Sequence, residues 1–447
     1  MQNPRTPNKH VIVGLGKTGM SCVRYLAAHH IDFAVTDQAE NPPCLAELRS
    51  HFPQVPLFLG KIDADLCAQA EQLIVSPGIA HTEPAIAKAI AAGIPIVGDI
   101  ELFARTAIAP IVAITGSNGK STVTTLVGEM ALKAGLDARV GGNLGTPALD
   151  LLSAKEPDLY VLELSSFQLE TTYSLQAQAA VVLNLCQDHM DRYADIQDYL
   201  AAKQRIYQHC DTAVVNTEDP LTWNCLSPET HRIVRFGMDK PEGSHFGIDQ
   251  GWLMQGETRL IETRSLHIKG RHQYTNALAA LALGEAVGLP MPAMLAALQD
   301  FQGIPHRCQW VTQYKGVDWY NDSKATNVGA AEAALTGLGT EITGRLVVIA
   351  GGQGKNADFR PLRASLEKYA RYLILLGQDA PRMATELAGS VSIERVQTLE
   401  EAVELAAQQA QAGDVVVLAP ACASLDMFKN FEHRGEVFME AVKKIAK

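Results

Sequence analysis

The segment Thr115-Gly116-Ser117-Asn118-Gly119-Lys120-Ser121-Thr122 constrains this chain more than any other. It follows a four-residue apolar run, Ile111-Val112-Ala113-Ile114, and precedes a stretch in which Val123, Leu126, Val127 and Met130 recur at i, i+3, i+4 and i+7. A strand, a glycine turn and an amphipathic helix in that order form the setting a nucleotide phosphate loop requires. Gly116 and Gly119 let backbone N–H groups approach phosphate oxygens, and the helix start adds partial positive charge. Lys120 can reach the outer phosphates and Ser121 can offer a hydroxyl to Mg²⁺. Ile114 stands where the longer phosphate-loop pattern has its first glycine, so this is the shorter T-G-x-x-G-K-S form.

Around this loop, β-branched runs alternate with helical periodicity, which predicts an α/β chain with parallel sheets covered by helices. The first segment has expected strands over 10–13, 33–36, 73–75 and 94–97 and helices over 18–28 and 84–92. The second has strands over 111–114, 160–164 and 181–185 and a helix over 121–134. The third has strands over 317–320, 346–350, 372–376 and 415–419. With 447 residues, about three domains of ordinary size are expected. The boundaries read as 1–98, 99–303 and 304–447. The apolar stretch 278–298 is broken by Glu285, Gly288, Pro290 and Pro292 and reads as two helices of a soluble domain.

Composition narrows the function. Lys and Arg number 38 against 49 Asp and Glu, a formal charge of −11, which disfavours a chain built to coat nucleic acid or an anionic membrane. The start shows no apolar core of a signal peptide, so a cytoplasmic address is expected. The eight cysteines form no C-x-x-C pair and read as reduced thiols.

Three further clusters carry chemistry. Gly14-Leu15-Gly16-Lys17-Thr18-Gly19 follows a strand, and Asp37 ends the next one, so the dinucleotide fingerprint is met and a nicotinamide dehydrogenase is a competing reading. The same turn would serve a nucleotide-sugar diphosphate equally well. Glu163 closes a hydrophobic strand and Asp188-His189-Met190-Asp191 follows another, where acidic and imidazole groups could hold a divalent ion. Lys203 lies on an expected helix and, from its own surroundings, reads as a solvated surface lysine. In the third segment Lys324, Thr326, Lys355 and Ser424 follow strands, and such cations and hydroxyls suit a small dianionic substrate.

Together these motifs resemble the Mur ligase family over nearly the whole chain. The marks are residues 116–122, the run Leu162-Glu163-Leu164-Ser165-Ser166-Phe167-Gln168, the run Asp188-His189-Met190-Asp191-Arg192-Tyr193, residues 321–327, and 424–431. The resemblance implies an N-terminal Rossmann-like UDP-binding domain, a central P-loop ATPase-type domain and a C-terminal Rossmann-like domain. It implies ATP-dependent amide-bond formation through an acyl phosphate, adding D-glutamate to UDP-N-acetylmuramoyl-L-alanine. Leu15, Thr18, Asp37 and Gly78 would hold UDP, and Asn143, Gln168 and His189 would line the path of the muramoyl-alanine part. Gly116, Ser117, Asn118, Gly119, Lys120, Ser121, Thr122, Gln273, Asn276, Arg307 and Asp322 match ATP-binding positions. Lys324, Thr326, Lys355, Ser424, Leu425 and Phe431 match those around D-glutamate. Ser121, Glu163, His189 and a Lys203 carbamylated by CO₂ would hold Mg²⁺, two ions in all, and Lys120, His189, Lys203 and Glu163 would carry catalysis. The partners implied are these small molecules alone, with no nucleic acid or membrane, and a monomeric enzyme. Gln273 stands where the family usually has Asn, and Gln38-Ala39 replaces a Thr-Arg type of pair. Other amide ligases of the superfamily, such as the folylpolyglutamate type, and a P-loop regulatory ATPase remain competing readings.

Overall fold

The computed structural model describes residues 10–186, 192–227, 232–354 and 357–446. Among these residues three sheets appear, each near a segment expected from the sequence. The first has five strands, in the order Leu57–Phe58, Phe33–Thr36, His10–Val13, Gln72–Val75 and Ile96–Val97, all parallel. Val11, Ile12 and Val13 are fully buried, as a strand covered on both faces must be. The order reverses beside His10–Val13, which opens a crevice at the carboxyl ends of that strand and of Gln72–Val75.

The second sheet has nine strands, in the order Thr258–Glu262, Trp252–Gln255, Phe246–Asp249, Arg232–Phe236, Thr212–Asn216, Ala179–Val182, Ile111–Thr115, Leu159–Glu163 and Ala138–Gly142. Ile111–Thr115 lies at its switch point, between Ala179–Val182 and Leu159–Glu163, and pairs parallel to both. The third sheet has six, in the order Gln309–Tyr314, Val317–Asn321, Val415–Leu418, Leu346–Gly351, Ala370–Leu376 and Ser392–Arg395. Only its first pair is antiparallel.

The chain forms two compact units. One takes in Met1–Asp249, Met254–Arg259 and Asn276–Ala297, and the other Gln250–Leu253, Leu260–Thr275 and Leu298–Lys447. Within the first unit a single apolar core runs from Ile12 and Val35 of the first sheet to Leu162 and Ala180 of the second. The helix Asp99–Ala104 joins them, its Phe103 ring meeting Tyr160 edge-on at 4.9 Å. In the second unit the third sheet is covered by one apolar cluster around Leu346 and Phe359 and another around Trp319 and Phe438.

Several expected elements shift. The strand expected over 181–185 stops at Val182, because the Leu183 carbonyl is taken by Asn216 Nδ2 at 2.9 Å. The strand expected over 94–97 shortens to Ile96–Val97; Pro95 has no N–H to give the ladder. The stretch 278–298 resolves into Arg271–Ala286 and Met291–Asp300 around Gly288 at φ +81°. Among the described residues no helix is long and apolar enough to cross a membrane. All eight cysteines are free thiols.

Candidate active site

The phosphate loop closes over positions that tolerate only glycine. Gly116 has φ +149°, and a Cβ there would lie 2.9 Å from Leu183 Cβ. Gly119 has φ +82°, and its Cβ would meet Asn276 Oδ1 at 2.3 Å. Both the left-handed backbone and the close neighbour therefore disfavour a side chain at Gly119. The helix Lys120–Lys133 starts without any side-chain cap, which leaves its first N–H groups to a ligand. Asn184 ties the loop down, its Oδ1 accepting from Asn118 N–H at 2.8 Å and its Nδ2 donating to Asn118 O at 3.0 Å. Ser117 Oγ accepts from the Cys186 N–H and donates to the Cys186 carbonyl, with Tyr199 OH at 3.3 Å. Ser121 and Thr122 are buried behind the loop.

Two lysines converge on one oxygen. Lys120 Nζ donates to Gly116 O at 2.8 Å and to Ser117 O at 3.0 Å, and Lys203 Nζ donates to the same Gly116 O at 2.9 Å. Lys203 is 1% exposed and sits 4.5 Å from the Tyr199 ring centroid. The surface lysine expected from its own surroundings is thus corrected to a buried one. Its burial comes from a loop 87 residues away, which helical pattern cannot reveal.

Glu163 ends its strand in the same unit. Asn143 Nδ2 donates to Glu163 Oε1 at 2.6 Å, while buried Oε2 has no partner among the described residues. A carboxylate oxygen left bare in the interior is costly unless something else satisfies it, and a divalent cation is a natural occupant. The Ser121 hydroxyl and Glu163 thus fit an Mg²⁺ site in donor chemistry. His189 lies outside the described residues.

Asn143 and Gln168 also line a cleft of about 430 Å³ with Leu15, Thr18, Asp37 and Gly78. The glycine loop of this cleft is tight: Gly14 has φ +97°, and a Cβ on Gly19 would lie 1.9 Å from Gly14 O. Asp37 Oδ2 accepts from Leu15 N–H at 2.6 Å and Oδ1 accepts from Ala39 N–H at 2.8 Å. Both its oxygens already serve the backbone, so the acid that a dinucleotide site would turn to a ribose acts here as a brace for the loop.

In the second unit, Asp322, Lys324 and Thr326 follow the strand Val317–Asn321, and Ser424 follows Val415–Leu418. Lys324 Nζ lies 3.8 Å from the centroid of Phe431, and its ammonium is pulled below its ordinary pKa by burial and by Arg307. Burial pushes the Asp322 carboxyl up to about 7, against the opposing pull of the Cys308 backbone N–H and of Arg307. Ser424 is buried and Leu425 exposed. Gln273 and Asn276 sit three residues apart on the helix Arg271–Ala286, both buried, and Gln273 Oε1 has no partner among the described residues. Lys355 lies outside the described residues.

Sequence reasoning missed Arg434. Its guanidinium is 2% exposed and donates to Ser323 Oγ, Ser323 O and Cys422 O at 3.0, 2.9 and 3.1 Å. It pins the loop carrying Asp322 and Lys324 to the loop carrying Ser424, yet in sequence it is one more basic residue on an amphipathic helix.

Family models match along the chain: the N-terminal domain of MurD-like Mur ligases over residues 8–98, the Mur ligase middle domain over 114–284 and the glutamate ligase domain over 306–422. The chain belongs to the Mur ligase family. A UDP-N-acetylmuramoylalanine–D-glutamate ligase from Pseudomonas aeruginosa is 55% identical, covering 98% of each chain. One of the same name from Nitrosococcus oceani is 53% identical over 99% of this ligase and 98% of its own length. Among solved structures, a pseudomurein peptide ligase from Methanothermus fervidus aligns with TM-score 0.59 at 17% identity, covering 98% of this ligase and 100% of that chain. A UDP-N-acetylmuramate–alanine ligase from Thermotoga maritima gives 0.58 at 20% identity, over 98% and 99%. At such identities they show that this Mur ligase shares their three-domain α/β fold.

Proposed function

We propose that this Mur ligase joins D-glutamate to the alanyl carboxylate of UDP-N-acetylmuramoyl-L-alanine at the expense of ATP, in the synthesis of peptidoglycan precursors. The observation that carries the reading is Asn143, which lines the cleft and at the same time donates to Glu163, the carboxylate at the end of a strand beside the phosphate-loop strand. A substrate lying along the cleft with its UDP end at Leu15, Thr18, Asp37 and Gly78 would carry its far end past Gln168 and Asn143 toward that carboxylate. The identity to relatives of that activity supports the choice of substrates. Residues 1–98 would take the UDP portion, 99–303 ATP and 304–447 the amino acid.

A carboxylate and an ammonium do not condense in water at neutral pH, so the carboxylate must first become electrophilic. In the proposed reaction a carboxylate oxygen attacks the γ-phosphorus in line and ADP leaves, giving an acyl phosphate. The D-glutamate amine, having lost a proton, then attacks the acyl carbon; the tetrahedral adduct expels phosphate and leaves an amide. Lys120 would turn from the loop carbonyls to the transferring phosphate, and the N–H groups at the start of Lys120–Lys133 would hold its oxygens. Ser121, Glu163, His189 and a carbamylated Lys203 would hold Mg²⁺, which supplies charge neutralisation at the phosphates. Gln273, Asn276, Arg307 and Asp322 would bind ATP. Lys324, Lys355, Thr326, Ser424, Leu425 and Phe431 would surround the amino acid, the two lysines meeting its carboxylates. The enzyme is expected to act in the cytoplasm as a monomer.

The test is ADP release with UDP-N-acetylmuramoyl-L-alanine, with and without D-glutamate, and with other amino acids in its place. Release that needs both substrates supports the ligase; ATP hydrolysis indifferent to the amine would point to a regulatory ATPase.

A further inference from the structure

The side-chain amide of Gln168 is held at both ends. Oε1 accepts from the Ser165 backbone N–H at 3.1 Å and lies 3.3 Å from the Ser165 hydroxyl, which closes a capping box on the helix Ser166–Glu170. Nε2 donates to Asp99 Oδ2 at 3.1 Å in a buried contact spanning 69 residues. Turning the amide over would set N–H against N–H at Ser165 and oxygen against carboxylate oxygen at Asp99. Both partners therefore dictate the same orientation. With Oε1 committed to Ser165, the group Gln168 can offer the cleft it lines is the second N–H of Nε2.

Asp99 is 1% exposed and begins the helix Asp99–Ala104; its Oδ1 has no partner among the described residues. Burial pushes its carboxyl up to about 6, while the Gln168 hydrogen bond pulls the other way. The contact survives protonation, because a carboxyl carrying one proton still offers its carbonyl oxygen.

We propose that Asp99 is a positioning residue that locks Gln168 with an N–H facing the cleft, so that the cleft selects a hydrogen-bond acceptor on the acyl-bearing part of the UDP substrate. This rests on the reading of the cleft as the UDP-N-acetylmuramoyl-L-alanine site. Asp99 itself touches no substrate and acts through Gln168.

The experiment measures KM for each substrate and kcat in Asp99→Asn, Asp99→Leu, Gln168→Met and the double variant Asp99→Leu/Gln168→Met. Asp99→Leu is expected to raise KM for the UDP substrate about tenfold, the loss of one hydrogen bond, with KM for ATP and D-glutamate within about twofold. Asp99→Asn, which keeps an acceptor, should stay within about threefold of wild type. The double variant should be no worse than Gln168→Met, since residues acting in series are not additive. Should Asp99→Leu not fold, Asp99→Ala gives the same comparison. An unchanged KM, equal losses for all three substrates, or additive effects in the double variant would overturn the proposal. A separate readout needs no substrate: in ¹⁵N-glutamine-labelled protein the Gln168 Nε2 proton bonded to Asp99 should exchange more slowly than its partner, and Asp99→Leu should remove that protection. If wild-type protein fails to turn over, the functional reading falls while this readout still decides the lock; unchanged protection in Asp99→Leu sinks the lock alone.

Discussion

Lys120 and Lys203 donate to the same backbone oxygen, that of Gly116, at 2.8 and 2.9 Å. Their nitrogens therefore lie within about 6 Å of each other, where two like charges repel. Carbamylation of Lys203 would replace one of those cations with an anionic oxygen donor beside the loop. It would turn a repulsion into an attraction and add a ligand of the type Mg²⁺ prefers.

Lys203→Ala should reduce turnover by at least about a hundredfold, the scale of losing one preorganised charged group. A short carboxylic acid added to that variant should restore part of the rate, and wild type should lose activity when CO₂ is stripped from the buffer. A fully active Lys203→Ala enzyme would defeat the carbamate.

Lys120→Ala should lower kcat by roughly 10² to 10³ with a smaller effect on KM for the UDP substrate. ADP release at the wild-type rate would remove the loop from the mechanism.

Gly119→Ala and Gly93→Ala form a matched pair, because their φ values are +82° and +79° but only the first has a neighbour, Asn276 Oδ1, in the way. Gly93→Ala should cost about 1 kcal/mol from backbone strain alone. Gly119→Ala should cost more and also weaken ATP binding, measurable by calorimetry and thermal melts. Equal melting shifts with intact ATP affinity would show that the Asn276 contact yields.

Asp322 gives a pH signature. Burial pushes its carboxyl from the ordinary 3.8 up to about 7, so the native state holds the proton more tightly than the unfolded chain. Stability therefore falls as pH rises from about 4 to 7 and is flat above, with a span of at most a few kcal/mol. Asp322→Asn should raise the melting temperature at pH 8 and leave it unchanged near pH 4, while activity is lost. A gain equal at both pH values would mean that burial of the charge is not the cause.

Arg434→Met removes three hydrogen bonds and leaves Ser323 and Cys422 carbonyls without their donor. A loss of about 2 to 4 kcal/mol is expected, along with a raised KM for D-glutamate. Arg434→Lys should recover part of the stability and little of the KM, since an ammonium cannot reproduce the planar fork. An unaltered KM in a folded Arg434→Met enzyme would confine Arg434 to structure.

What the sequence made legible is local. The phosphate loop, the glycine turn after His10–Val13 and the carboxylate at the end of Leu159–Glu163 declare themselves because strand, turn and helix are contiguous. Strands such as Thr212–Asn216 and Arg232–Phe236 went unread, since five residues among polar turns carry too little period to stand out. The buried state of Lys203, the orientation of Gln168 and the clamp at Arg434 depend on partners 87, 69 and 111 residues away. No spacing within a helix encodes them.

Asn143 faces the cleft with an amide that Glu163 already needs. A compound that fills the cleft by pushing this side chain aside strips the buried carboxylate of its donor, and forfeits about 1 to 3 kcal/mol unless it brings an N–H or a cation of its own. Inhibitors directed at this end of the cleft should therefore carry a donor where the Asn143 amide stood, and purely apolar occupants should bind poorly however well they fit.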